Sequence, residues 1–333
     1  MSSFMQWSDI AGHSENIDRL KQMLNSGRMP HALLFTGAAG IGKMLIARVL
    51  AAAVLCMDSA GRPCGICKAC RSLTDGSHPD LLVIRPEGTT IKIEQIRQLQ
   101  SAFALAPYFS SRRVCIIEDA ERLTAQAANS ILKTLEEPQG SSLFILVASS
   151  KQQLLATIIS RCLAMAFQPL PSSVLSRALM DKGFAGFSVE VAARLSGGRF
   201  GQALKLLEPG GLNQRNQAAE ITAALIQGER NFVWRTAALL DKHERKDFLS
   251  LLEYLTLILR DLLMISGRRD RRLLYNIDLE EQLTRQAGNW TEPGLMKALA
   301  AAAACRQALQ ANANPRLAGE ALLIQLCDLA GGG

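Results

Sequence analysis

The strongest chemical signal in the chain runs from Leu33 to Met44, Leu-Leu-Phe-Thr-Gly-Ala-Ala-Gly-Ile-Gly-Lys-Met. An apolar run feeds a glycine-rich turn, and a helical pattern starts at Met44 with Leu45, Val49 and Val54 on one side. This is the strand–loop–helix of a phosphate-binding loop, G-x-x-x-x-G-K-[ST]. In such a loop Gly37, Gly40 and Gly42 let backbone N–H groups curl around phosphate oxygens. The following helix offers its N-terminus, and Lys43 adds a point charge for the β- and γ-phosphates. One position departs from the pattern. Met44 stands where a Ser or Thr hydroxyl would hold Mg²⁺, and a thioether is a poor ligand for that hard ion. The motif predicts a nucleotide-site fold and leaves open whether it is a working ATPase or a retired one.

A second cluster follows at once. Cys56, Cys64, Cys67 and Cys70 have the spacing C-x₇-C-x₂-C-x₂-C. The two-residue gaps, with Gly65 permitting a tight turn, can gather three thiolates around one ion, and Cys56 at the end of the preceding helix can close a tetrahedron. Four sulfurs with no open position describe a structural Zn²⁺ site. The insert has too few apolar residues to fold alone, so metal would supply its stability. An iron–sulfur cluster is the rival, since C-x₂-C-x₂-C also begins the bacterial ferredoxin run. That run needs a further cysteine followed by Pro, where Thr74 and Asp75 stand here. His78 is read as a turn residue before Pro79 rather than a fifth ligand. Cys115, Cys162, Cys305 and Cys327 sit in apolar surroundings and read as core residues.

The elements that must position these residues alternate. His31–Thr36, Asp80–Ile84, Val114–Ile117, Leu143–Ala148 and Leu163–Phe167 read as strands, the second of them short and continuously apolar as buried parallel strands are. Between them lie helical patterns: Phe4–Met29 with Ile17, Leu20 and Leu24; Gly37–Cys56; Ile93, Ile96, Leu99 and Phe103; and Ala125–Glu136, with Thr124 as N-cap and Pro138 as stop. Alternation of this kind predicts an α/β domain with a parallel sheet. After Pro171 the strand signal disappears. Val174–Leu207 reads as short helices, Glu208–Gly211 as a linker, and the remainder as long helices broken near Gly228, Gly267 and Asn312–Pro315.

Composition bounds the function. The 333 residues suggest two or three domains, and a 48% hydrophobic content is ample for packed cores. A net charge of +7 permits contact with nucleic acid or acidic partners without demanding it. No apolar run is long enough to span a membrane, and no basic segment followed by an apolar core opens the chain. The expectation is a cytoplasmic protein without a membrane partner.

Three motifs then occur in order after the loop and the cysteines: Asn129-Ser130-Ile131-Leu132-Lys133-Thr134-Leu135-Glu136-Glu137-Pro138, Ser160-Arg161-Cys162, and Asn312-Ala313-Asn314-Pro315-Arg316-Leu317. Together they resemble the clamp-loader branch of the AAA+ ATPases, most strongly over Pro30–Gln168. The resemblance implies a P-loop α/β domain (residues 1–168, with the zinc insert at 56–70), a small helical lid (169–209) and an all-α collar for oligomerisation (212–333). It implies a clamp-loader subunit of the bacterial replicative DNA polymerase III holoenzyme. Gamma/tau motor subunits and a delta subunit would be its partners in a hetero-pentameric ring that loads the sliding clamp onto primed DNA.

The same resemblance exposes departures from an active motor. Met44 removes the Mg²⁺ hydroxyl. Motors end the third strand in Asp-Glu, and here the order is Glu118-Asp119, which keeps the charges but not the distances. Gly201 stands where motors carry a lid arginine, with Arg199 two residues off register. Positioning is nearly all that a protein contributes to phosphoryl transfer, so such shifts are expected to leave ATP binding weak or absent and hydrolysis lost. The resemblance gives Arg161 another role, as an arginine finger in trans on the neighbouring subunit's ATP. An active gamma/tau-type ATPase, favoured by Lys43, is the alternative, and an iron–sulfur or redox protein is the alternative from another class. Lys133, Glu136 and Glu137 face a neighbour or DNA, or form a solvated helix surface. Arg268-Arg269-Asp270-Arg271-Arg272 reads as a charged loop between collar helices.

Overall fold

The computed structural model describes residues 6–58, 61–138, 140–226 and 245–330. The start of the entry segment at Phe4 and the expected break near Gly228 lie outside these residues. Contacts divide the chain into two compact units, Met1–Lys182 with Gly197–Gln202, and Gly183–Ser196 with Ala203–Gly333.

The first unit is built on five parallel strands: β1 (Ala32–Thr36), β2 (Leu81–Ile84), β3 (Arg113–Ile117), β4 (Ser142–Ala148) and β5 (Leu163–Ala166). Their order in the sheet is β2-β3-β4-β1-β5. Leu34 lies opposite Leu146 on one side and Ala164 on the other. All five expected strands are present, with ends displaced by at most a residue. The apolar runs reflect burial on both faces. Leu34, Phe144 and Leu146 face a core with α4 (Ile93–Phe103) and α5 (Ala125–Glu136). Leu33, Phe35, Val114 and Ile116 face a second core with α1 (Ser14–Asn25) and α2 (Lys43–Leu55). Each large side chain so buried contributes about 1.5–3 kcal/mol.

The P-loop helix differs from its expected pattern. Leu45 is only half-buried, while Ile46, Ala47, Val49, Leu50 and Ala51–Leu55 are all buried. Neighbours on several sides cover α2, so it is apolar nearly all round rather than striped. Helix α5 spans the expected residues. Thr124 Oγ1 accepts from Ala127 N at 3.2 Å, a cap contributing about 1 kcal/mol. The first unit also holds α3 (Lys68–Thr74), α6 (Ala156–Ile159) and α7 (Ser172–Asp181).

The described residues of the second unit contain no strand. They form α8 (Phe187–Leu195), the end of α9 (Phe200–Leu207), α10 (Asn213–Ile226), α11 (Arg245–Ser266), α12 (Glu280–Ala287), α13 (Glu292–Gln310) and α14 (Pro315–Ala330). Leu255, Ile258, Leu259, Leu262, Leu295 and Leu326 share one core. The break expected at Gly267 falls between helices, and the one at Asn312–Pro315 falls in the turn that Pro315 ends by opening α14. Among the described residues no helix is long and apolar enough to cross a membrane.

Candidate functional site

The glycine loop lies between β1 and α2, and its backbone carbonyls are taken by donors from the same unit. Lys43 is buried, and its Nζ donates to the carbonyls of Gly37 and, at 2.8 Å, Ala38. Burial lowers its pKa, against the opposing pull of Glu121 and Asp119. The Gly40 carbonyl accepts from Gly201 N at 2.9 Å. The Ile41 carbonyl lies 2.9 Å from His13 Nε2. Gly37 has φ 144°, and a Cβ there would collide with the Phe167 carbonyl oxygen and lie 2.6 Å from Ile41 Cδ1. Only glycine fits, for conformation and for space. Met44 is half-buried against the α1–α2 core. Gly201 meets the loop through its backbone alone. A Cβ on Gly40 would find Arg199 Cβ at 3.7 Å, so Arg199 starts close to the loop although it is off register.

The carboxylates after β3 are engaged with arginines. Glu118 pairs with Arg85 at 3.0 Å and Asp119 with Arg122 at 3.5 Å. Asp119 has φ 49°, a left-handed conformation at the strand end. The sequence reading missed Glu121. Its carboxylate accepts from Ser149 N at 3.0 Å and from Ser149 Oγ, tying the turn after β3 to the end of β4. It is also the largest source of opposing charge on Lys43. No motif marks it, because a short helical turn over Ala120–Arg122 carries it inward.

The four cysteines converge. Their sulfurs all lie within 4.8 Å of one another, with Cys56–Cys67 at 4.0 Å and Cys64–Cys70 at 3.9 Å. Ligands about 2.3 Å from a tetrahedral Zn²⁺ stand about 3.8 Å apart, so the donor set fits one ion. The four cysteines of a multi-iron cluster are spread over two or more irons, so they do not all converge on one ion. Cys56 ends α2 and Cys67 caps α3. The N–H groups of Cys64, Cys67 and Cys70 point at sulfurs of Cys56, Cys64 and Cys67 at 3.4–3.5 Å. Burial raises the Cys67 thiol, but hydrogen bonds from the Cys70 and Met57 backbones and from Cys70 and Cys64 side chains outweigh it and hold Cys67 at about 6. Burial pushes Cys56 and Cys70 up. His78 is not in the cluster. It is buried, its Nδ1 accepts from Asp80 N at 3.1 Å, and its ring meets Phe109 edge-on. Of the remaining cysteines Cys115 and Cys305 are buried, Cys162 and Cys327 half-buried.

Beside the cysteines, buried Asp80 anchors the loop before β3. It accepts from Tyr108 N, Phe109 N and Ser110 N at 2.7, 2.8 and 3.0 Å and faces Arg113 Nε at 3.8 Å. Burial raises its pKa, but the three N–H donors more than reverse this and hold it below the ordinary carboxylate value.

Arg161 follows Ser160, the C-cap of α6. It donates to the Thr157 carbonyl at 2.8 Å and to Glu136, the last residue of α5. The structure therefore brings together Lys43, the glycines and Gly201, gathers the four cysteines into one cluster, and pairs Arg161 with Glu136.

A family profile described as DNA polymerase III, delta subunit, matches residues 12–171. The DNA polymerase III subunit delta' of Bacillus subtilis is 30% identical over 316 residues, 92% of this chain and 94% of that protein. The subunit delta' of Pseudomonas aeruginosa is 35% identical over 229 residues, 66% of this chain and 65% of that protein. The DNA polymerase III subunit tau of Escherichia coli is 37% identical over 158 residues, 47% of this chain but 24% of that protein. The E. coli tau likeness spans under half of this chain and a quarter of that protein, whereas the B. subtilis delta' likeness runs along nearly all of both proteins. The chain belongs to the delta' subunits of DNA polymerase III.

Proposed function

We propose that this chain is a non-hydrolysing subunit of a clamp loader, one that acts on a neighbour's nucleotide rather than its own. The observation that carries the reading is a contrast. Lys43 is buried and spent on the carbonyls of its own loop, while Arg161, paired with Glu136, keeps its side chain 32% exposed. A P-loop lysine serves hydrolysis by reaching β- and γ-phosphate oxygens. With Met44 in place of the Mg²⁺ hydroxyl and Gly201 in place of a lid arginine, ATP binding is weak or absent. Arg161 reaches in trans to the ATP of a gamma/tau motor subunit and neutralises charge on the transferring phosphoryl group. In GTPase systems an arginine so placed is worth about 10³–10⁵ in rate.

The lid (169–209) and collar (212–333) join the α/β domain in a five-membered ring with motor and delta subunits. The ring serves the sliding clamp and primed DNA in the cytoplasm. Cys56, Cys64, Cys67 and Cys70 hold one structural Zn²⁺, a reading supported by the spacing of their sulfurs. The test is a loader reconstituted with wild-type or Arg161→Ala protein, with DNA-dependent ATP hydrolysis as readout. A large loss of turnover is expected in the mutant. Unchanged turnover would end the trans-arginine reading, and steady hydrolysis by the isolated chain, abolished by Lys43→Ala, would establish the motor reading instead.

A further inference from the structure

The arginine argued above to act in trans does not hang free in this chain. Its Nη2 donates to Glu136 at the end of α5, and its Nη1 donates to the Thr157 carbonyl at 2.8 Å and lies 3.3 Å from Ser160 Oγ. Its Nε is buried with no partner. The guanidinium is folded back across α6, with both terminal nitrogens committed inside its own subunit. Among the described residues Glu136 is the carboxylate that pairs with it.

We propose that Glu136 is a positioning residue that holds Arg161 in reserve, so that engagement of a neighbour's γ-phosphate is an exchange of one anion for another. The proposal rests on the trans-arginine reading. A guanidinium offers a planar fork that suits a carboxylate and a phosphate equally well, so both anions compete for the same nitrogens. The competition is reversible because the pair is only partly buried, with side chains 32% and 47% exposed. Pairs of that exposure bias an equilibrium by a factor of about 1.4–5, enough to delay engagement without preventing it. The apparent affinity of the motor site for ATP is then reduced by the fraction of Arg161 still held on Glu136. The pair also makes the arginine selective for strong anions, since a neutral acceptor gains nothing by displacing a carboxylate.

The experiment uses the loader reconstituted with wild-type, Glu136→Gln, Arg161→Ala or doubly substituted subunit, measuring KM for ATP and kcat separately at two salt concentrations, with thermal melting as a folding control. Glu136→Gln keeps the shape and removes the charge. It is expected to lower KM about two- to fivefold with kcat little changed, the gain shrinking at high salt. The double substitution is expected to match Arg161→Ala. If Arg161→Ala lowers turnover while Glu136→Gln leaves KM unmoved, the holding role is wrong and the trans arginine stands. If Glu136→Gln lowers kcat as Arg161→Ala does, Glu136 supports the engaged arginine instead of restraining it, which also overturns the proposal. If Arg161→Ala itself changes nothing, the underlying trans reading fails first.

Discussion

Lys43→Met separates a lysine kept for phosphate from one spent on its own loop. The substitution keeps the length of the side chain and removes the ammonium. The Nζ donates to two carbonyls, Gly37 and Ala38, from a residue 6% exposed. Each hydrogen bond to a charged group contributes about 1.5–3 kcal/mol net, and the lower end applies here because Gly37 is half-buried and Ala38 exposed, so water can replace the lost donor. Against this, methionine escapes the desolvation that lowers the lysine's pKa. The balance is a loss of at most about 3 kcal/mol. At about 2–4 °C per kcal/mol for a domain of this size, the midpoint falls by at most about 6–12 °C. The assay is thermal melting of wild type and Lys43→Met with and without millimolar MgATP. A self-closed loop gives a large mutational drop and no nucleotide shift in either protein. The reasoning is refuted if the mutant melts like wild type while MgATP raises the midpoint of wild type alone, since only a lysine free for phosphate behaves so.

Three further outcomes follow from the same geometry. Asp80→Asn leaves Arg113 and three backbone N–H groups without their carboxylate and should cost about 3 kcal/mol in urea unfolding. Because the folded-state pKa of Asp80 is depressed, its contribution is fully present above its unfolded value near 3.8 and lost as pH falls through the lower folded value. Acid titration of the mutant should therefore show a shallower loss of stability in that window than wild type, and an identical slope would refute the assignment. Metal analysis of the purified chain should find a single Zn²⁺, and Cys70→Ser should lose it and lower the midpoint, whereas iron with visible absorption would favour a cluster. Thr124→Ala should cost about 1 kcal/mol, measured as a shift in urea midpoint without a change in slope.

Much of the first unit was legible because parallel strands buried on both faces are apolar along their interiors, and β1, β3 and β4 carry that mark apart from Thr36, Arg113 and Ser142 at their ends. Helix α5 was legible to the residue because Thr124 and Pro138 punctuate it chemically. Helix α2 was misread in detail. Its alanines sit among larger apolar residues with no polar stripe, so periodicity could not say that Leu45 is less buried than Ile46. The cysteine site was legible because four thiols at short spacing have few other uses. Glu121 and Asp80 were not, since an isolated carboxylate looks the same in sequence whether it faces solvent or gathers three N–H donors.

The sequence alone determined the loop, its missing Mg²⁺ hydroxyl, the metal-type cysteines, the strand–helix alternation and the family these imply, because each depends on residue type at short spacing. The tertiary structure decided what those residues touch. It turned Lys43 onto the carbonyls of Gly37 and Ala38, set Gly201 N on Gly40, and laid Arg161 against Glu136, twenty-five positions away. The pairings of Gly201 with Gly40 and of Arg161 with Glu136 depend on where the fold brings chain segments together, and no local pattern of residues encodes them.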